Sequence, residues 1–167
     1  MKFKNQFAKF WATGWGLGLL PKAPGTFGSL WGPVLFYVFR FQTQSFWLGF
    51  APLVIALSIW AAHVAEQAWQ KKDDQRIVID EVAGMWVTYC FVRFTPEDLV
   101  LGFLFFRFFD VLKLFPARLA QDRLKGGLGV VADDLVAGVQ AGLLLLAVHY
   151  FVGWYYAATL NLGALNP

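Results

Sequence analysis

Two long stretches of the chain contain no Asp, Glu, Lys or Arg. They cover residues 41–65 and 135–167, and each exceeds the roughly 20 apolar residues with which a helix crosses a bilayer. Three shorter apolar stretches lie at 27–39, 82–92 and 99–106. Extended over their polar ends, the last two approach spanning length. The pattern predicts an all-α polytopic membrane bundle of about five hydrophobic helices, forming a single domain over residues 1–167.

The N-terminal segment follows a different pattern, because its apolar residues recur at helical spacing between lysines. The apolar positions are Phe3, Phe7, Phe10 and Trp11, and the lysines that fall elsewhere are Lys2, Lys4 and Lys9. This arrangement predicts an amphipathic helix that lies in the headgroup region of the membrane. The alternative is a helix that packs on the bundle.

Basic residues are concentrated in alternate connections between the apolar stretches. The rich segments hold Lys2, Lys4, Lys9 and Lys22, then Lys71, Lys72 and Arg76, and finally Lys113, Arg118, Arg123 and Lys125. The remaining connections hold only Arg40 and Arg93. Because cytoplasmic loops carry the excess of Lys and Arg, this alternation predicts five crossings with a cytoplasmic N-terminus.

Composition supports a membrane partner and argues against nucleic acid. Charged residues make up 15% of the 167 residues and hydrophobic residues 58%, whereas soluble domains average about 25% charged residues. The net charge of +3 comes from dispersed bases, and the eight tryptophans lie among aliphatic residues. The lone cysteine, Cys90, excludes an internal disulfide and a cysteine zinc site.

Most acidic residues lie at one predicted end of the apolar helices. Asp80 and Glu81 open the third stretch, Asp110 closes the fourth, and Asp133 and Asp134 open the fifth. Carboxylates gathered at one membrane face favour a site for a hard cation such as Mg²⁺. The alternative is helix capping, since Asp at a helix N-terminus accepts backbone N–H bonds. Two adjacent pairs plus a fifth acid exceed what capping needs.

Phosphate ligands are predicted beside these acids. Arg107, Asp110 and Lys113 are spaced three apart and share one broad helical face, where the two bases could bind phosphate oxygens. A salt-bridge ladder is the alternative. Pro24 and Gly25 mark a turn, and Thr26 could cap the following helix, which would leave free backbone N–H groups to meet an anion; a simple loop and cap is the alternative.

The remaining polar positions give weaker predictions. A glycine-rich turn at 126–129 precedes the Asp133 pair and allows close backbone approach. His63 is a candidate for an indirect role near the acids, whereas His149 is assigned to packing or to the far interface. Glu97 and Asp98, on the opposite side from the acid cluster, are interpreted as an ordinary solvated turn.

In combination, these segments resemble the phosphatidylglycerophosphatase A family of bacterial membrane lipid phosphatases. The resemblance runs from about residue 5 to residue 145. The matching positions are Gly14–Gly18, Pro24–Thr26, Gly28, Ser29, Asp73, Ile77–Glu81, Gly84–Trp86, Arg107, Asp110, Lys113, Pro116, Asp122, Arg123, Gly126, Gly127, Gly129, Asp133, Asp134, Ala137 and Gly138.

The resemblance implies a Mg²⁺-dependent phosphomonoesterase of the bacterial inner membrane whose active site faces the cytoplasm. The implied reaction converts phosphatidylglycerol phosphate and water into phosphatidylglycerol and phosphate, with the substrate lipid in the bilayer. Asp80, Glu81, Asp110, Asp133 and Asp134 would be the catalytic metal ligands. Arg107, Lys113, Gly25 and Thr26 would bind the phosphate.

The same residues are compatible with three other functions. A small ion-coupled transporter or scaffold would also place acids in a membrane protein, but its path should carry acids at both faces. A headgroup transferase is disfavoured, because its D-G-x-x-A-R metal motif is absent. A soluble relative that acts on water-soluble phosphates is conceivable, because three of the apolar stretches are short.

Overall fold

The computed structural model describes the backbone of residues 2–163 and the side chains of residues 5–120 and 123–159. Within this part of the chain the fold is all-α, as predicted. The helices are α1 (Lys2–Ala12), α2 (Pro24–Ser29), α3 (Trp31–Val38), α4 (Gln44–Trp69), α5 (Ile79–Tyr89), α6 (Pro96–Leu112), α7 (Ala117–Arg123) and α8 (Gly126–Gly163), with a 3₁₀ turn at Leu17–Leu19.

The apolar stretches lie largely in helices, with the stretch at 27–39 divided between α2 and α3, but only two helices in the described residues have the length and hydropathy for a membrane crossing. These are α4 and the Gly126–Thr159 part of α8. The others, α3, α5 and α6, contain 8, 11 and 17 residues. At about 1.5 Å per residue they fall short of a hydrocarbon core of about 30 Å. The prediction of five crossings is therefore not confirmed.

Helix α1 packs against α4 through small residues. Ala8 and Ala12 are fully buried, and Ala12 belongs to a cluster that includes Ala61 and Ala65 of α4. Phe7 and Phe10 remain about half exposed on the outer side. The alternative of a helix packed on the bundle is thus what the structure shows, and a simultaneous contact with headgroups stays a prediction. The side chains of Lys2, Phe3 and Lys4 lie outside the described residues.

A close helix contact joins α5 to α8 and depends on two glycines. A Cβ atom on Gly138 would lie 2.3 Å from the carbonyl oxygen of Gly84, and one on Gly84 would lie 2.6 Å from that of Asp134. The Thr88 hydroxyl donates toward the carbonyl oxygens of Gly84 (3.1 Å) and Gly138 (3.3 Å). This contact brings the first turn of α5 beside the acidic segment of α8.

The connection from α4 to α5 is held by a buried carboxylate. Asp74 accepts hydrogen bonds from the backbone N–H of Arg76 and from its guanidinium, and these bonds hold the pKa of Asp74 well below its ordinary value. The N–H of Val78 then donates to the carbonyl oxygen of Ala12 at 2.9 Å. The start of α5 is consequently tied to α1.

At the opposite end of the bundle, the interpretation of Asp98 as part of a solvated turn was wrong. Asp98 is 1% exposed, and its Oδ1 lies 2.7 Å from Nε2 of His149 on α8. The neighbouring Glu97 is exposed. An alternation of apolar and polar letters cannot distinguish these two acids, because their burial depends on where α8 passes.

We expect Gly138→Ala to lower the thermal unfolding temperature of the detergent-solubilised protein by several degrees. Overpacking at a tight contact costs about 1–3 kcal/mol, and here the obstacle is backbone. Gly153→Ala is the matched control on the same helix, because a Cβ atom there meets nothing within 4 Å. Equal unfolding temperatures for the two variants would contradict the glycine contact.

Candidate active site

The five predicted acids come together at one end of the bundle. Asp80 and Glu81 lie in the first turn of α5, Asp110 lies in the last turn of α6, and Asp133 and Asp134 lie near the start of α8. The four aspartates are 3–9% exposed, and Glu81 is partly buried. Three helices thus place carboxylates in one cluster that is largely buried from solvent.

The geometry divides these acids into two groups. Carboxylate oxygens of Asp80, Glu81 and Asp134 lie within 4.8 Å of one another and could share one metal ion. Asp110 and Asp133 instead pair with basic side chains. The prediction that all five bind metal stays a prediction, and the structure favours the first three, here called the carboxylate triad.

The carboxylate triad lacks neutralising partners in the described part of the chain. Buried oxygens of Asp80 (Oδ1), Glu81 (Oε2) and Asp134 (Oδ2) accept no hydrogen bond there. Burial and neighbouring carboxylates raise the pKa of Asp80 well above its ordinary value, and burial raises the pKa of Glu81 to about 8. Buried like charges of this kind need protons or a cation. A set of hard oxygen ligands fits Mg²⁺.

The second group is a chain of ion pairs. Arg107 Nη1 donates to Asp110 Oδ2, and Lys113 Nζ donates to Asp133 Oδ2. Lys113 also lies 3.7 Å from Asp110 Oδ1. The predicted helical face of Arg107, Asp110 and Lys113 therefore exists, and it adjoins α8. The salt-bridge alternative describes these contacts correctly, but the bases are also available to a ligand, since both remain partly exposed.

The turn at Gly25 contacts both groups. A Cβ atom on Gly25 would lie 2.2 Å from Glu81 Oε1 and 3.7 Å from Arg107 Nη1, so a side chain at this position would displace the Glu81 carboxylate from its present place. Ser29, one helical turn later, donates to the Gly25 carbonyl oxygen at 2.8 Å and accepts from Arg107 Nη1 at 3.2 Å. Thr26 is partly buried beside Gly25 in the same short helix.

Two residues at this site were not assigned a role from the sequence. Ser29 is fully buried, and Asp73 lies close enough for its charge to raise the pKa of Asp80. Both are among the positions that match the phosphatidylglycerophosphatase A family, and that match was the indication in the sequence that they matter. The contact of Ser29 could not be inferred from spacing, because it joins α2 to Arg107, 78 positions further along the chain.

Other sequence candidates lie away from the acids. His63 Nε2 contacts Gln67 at 3.0 Å, and a Cβ atom on Gly127 would lie 2.1 Å from the carbonyl oxygen of Ile59. The glycine-rich turn therefore packs α8 on α4. The side chain of Asp122 lies outside the described residues.

Comparisons with known proteins agree with the resemblance. The family model of phosphatidylglycerophosphatase A matches residues 10–149. Proteins named phosphatidylglycerophosphatase A from Escherichia coli and Haemophilus influenzae are 34% and 32% identical to this chain. The alignments cover 87% and 84% of it, and 83% and 88% of those proteins.

A third relative bears a different name. A Bacteroides thetaiotaomicron protein, provisionally named a phosphatidylinositol-3-phosphatase, is 33% identical over 84% of this chain and 92% of its own length. No solved structure matches the chain.

We expect Lys113→Met to destabilise the protein, because it leaves the Asp133 carboxylate buried without its cation. Removing one partner of a buried pair costs about 3–5 kcal/mol, and partial exposure of Lys113 reduces this to about 1–3 kcal/mol. Thermal unfolding in EDTA measures the loss. Lys125→Met removes an exposed lysine as the control. The ion pair is contradicted if both variants unfold alike, or if adding Asp133→Asn to Lys113→Met restores nothing.

Proposed function

Because this chain belongs to the phosphatidylglycerophosphatase A family of phosphatases, we propose that it hydrolyses phosphatidylglycerol phosphate to phosphatidylglycerol and phosphate, with Mg²⁺ as cofactor. The observation that carries the proposal is the carboxylate triad beside Arg107 and Lys113. A bound cation and basic donors both stabilise the charge that develops on the phosphoryl group of a phosphomonoester. The Bacteroides relative bears the name of a phosphatase for a different lipid. The test therefore compares lipids with different headgroups.

The residues present fit a Mg²⁺ ion. Asp80, Glu81 and Asp134 would hold it, because they offer several buried oxygens without a partner in the described structure. When bound, Mg²⁺ supplies Lewis-acid polarisation of the phosphate and lowers the pKa of a coordinated water. The triad positions these oxygens beforehand, since α5 and α8 are locked together at Gly84 and Gly138.

The basic residues would stabilise the charge of the phosphoryl group. Both hydrogens of Arg107 Nη1 are used by Ser29 and Asp110. Among the described residues, Nε and Nη2 of Arg107 make no hydrogen bond, which leaves the planar edge that binds phosphate oxygens in a bidentate manner. Lys113 adds a second positive charge. Backbone N–H groups of Gly25 and Thr26 lie at the start of α2, where helical acceptors are lacking.

The site's place in the bundle suits a lipid substrate. The chain has two apolar helices long enough to span a membrane, and the acids of α5 and α6 lie at the ends of those helices. Acyl chains can stay in the bilayer while the headgroup phosphate reaches this end. The lysines at the same end, including Lys71, Lys72 and Lys125, support a cytoplasmic orientation in the bacterial inner membrane.

An ion-coupled transporter remains the alternative that experiment must exclude. The expectation that no acid lies buried at the far face disfavoured a transporter, but Asp98 is buried there beside His149. Between the two polar ends, however, the core is filled by fully buried Tyr89, Phe106 and Ala141. Tight apolar packing of this kind favours two separate polar ends over a continuous path.

We expect purified protein to release phosphate from phosphatidylglycerol phosphate in Mg²⁺ and to lose this activity in EDTA. Asp80→Asn should lower the rate by at least about a hundredfold, since it weakens the stabilisation of developing charge. Glu97→Gln, an exposed acid at the far end, is the matched control and should behave like wild type.

The substrate panel includes phosphatidylinositol 3-phosphate and phosphatidic acid. Faster release from either lipid would contradict the assignment of substrate while preserving the reaction class. Ion flux without hydrolysis of any lipid would contradict both and support the transporter.

A further inference from the structure

Ser29 makes a contact that its place in α2 does not require. A serine within a helix commonly donates back to the carbonyl oxygen four residues earlier, as Ser29 does to Gly25 at 2.8 Å. Its Oγ also accepts a hydrogen bond from Arg107 Nη1 on α6 at 3.2 Å. The hydroxyl carries one hydrogen and two lone pairs, so it can donate to Gly25 and accept from Arg107 at the same time.

This second bond limits the orientation of Arg107. Nη1 is held between Ser29 Oγ and Asp110 Oδ2, which are supplied by two different helices. A guanidinium carries five N–H donors in a fixed plane. With Nη1 fixed at two points, the plane is defined, and the Nε and Nη2 donors stay together on one edge. Asp110 alone would leave the plane free to rotate about a single contact.

The surroundings make Ser29 hard to replace in this role. Ser29 is fully buried, so water cannot readily substitute for its hydroxyl. The Arg107 Nη1 atom also lies 3.7 Å from the position that a Gly25 Cβ atom would occupy. Arg107 therefore passes over the Gly25 turn, and Ser29 connects the two by hydrogen bonds on either side.

We propose that Ser29 is a positioning residue that fixes the Arg107 guanidinium against the Gly25 turn, so that its Nε and Nη2 edge is preorganised for a phosphate group. This inference rests on the proposed function, because it assumes that Arg107 binds phosphate. It goes beyond that function by assigning Ser29 an effect that acts through Arg107. The alternative is a purely local role, in which the hydroxyl only stabilises α2.

The test measures binding of inorganic phosphate in Mg²⁺ by ³¹P NMR, alongside the hydrolysis rate. Ser29→Ala removes the hydroxyl, and Ser29→Cys keeps a side chain of similar size with a weak acceptor. A lost hydrogen bond to a charged group corresponds to about a ten- to hundredfold weaker affinity. We expect this loss in both variants. Ser58→Ala is the matched control, because Ser58 is equally buried but lies on α4.

A double-mutant cycle separates positioning from a local role. In an Arg107→Gln background, Ser29→Ala should change phosphate affinity by less than about twofold, since residues that act through one contact are not additive. The proposal is overturned if Ser29→Ala has its full effect in that background. Wild-type affinity in Ser29→Cys, or a loss as large in Ser58→Ala, would overturn it too.

Failure of the proposed function has a different signature. A wild-type protein that binds phosphate through Ser29 and Arg107 but does not hydrolyse phosphatidylglycerol phosphate overturns the function and leaves the positioning role supported. A hydrolytically active wild type whose Ser29→Ala variant is unchanged overturns the positioning role alone. If the wild type binds no phosphate, the positioning role is overturned directly.

Discussion

The close contact between α5 and α8 determines the geometry of the whole site. Gly84 and Gly138 let the two backbones approach more closely than any side chain would allow, and Thr88 adds a hydroxyl contact across the same interface. Because Asp80 and Glu81 lie one turn before Gly84, and Asp134 lies one turn before Gly138, this contact sets the separation of the carboxylate triad. The packing of two apolar helices thus determines where the charges meet.

Those charges are costly in a bundle that is otherwise apolar, and the structure balances them in two ways. Asp110 and Asp133 are paired with Arg107 and Lys113. The carboxylate triad has no basic partner in the described residues, so its stability depends on protons or on a cation. The two groups also suit two different ligands. The carboxylate triad suits a metal ion, and the ion-paired group presents Arg107 and Lys113 to a phosphate.

Much of this arrangement could be predicted from the sequence, for identifiable reasons. Long apolar stretches predicted the helices, and acids at the ends of those stretches predicted a cluster, because helix ends of alternating direction meet at one face. Helix lengths could not be predicted, since α5 ends at Tyr89, before its apolar stretch at 82–92 does, and α6 continues to Leu112, beyond its apolar stretch at 99–106. The sequence also could not show which acids form the carboxylate triad and which form ion pairs. That depends on which base each carboxylate contacts on its own or a neighbouring helix.

Contacts between distant segments account for the remaining differences. Asp98 is buried where α8 brings His149 over it, and Gly25 of α2 lies against the Glu81 carboxylate of α5. Ser29 is joined to Arg107 across 78 positions of the chain. No periodicity or local motif encodes these pairs. They follow from the way the helices are arranged in the folded bundle.

We propose that Asp80, Glu81 and Asp134 hold a divalent cation, whereas Asp110 pairs with Arg107 in the phosphate-binding group. The sharpest test is titration with Mn²⁺, which favours the same oxygen ligands as Mg²⁺, followed by electron paramagnetic resonance. We expect Asp134→Asn to abolish the tight Mn²⁺ site of the wild type and Asp110→Asn to retain it. Tight binding in Asp134→Asn, or its loss only in Asp110→Asn, would contradict this assignment of ligands.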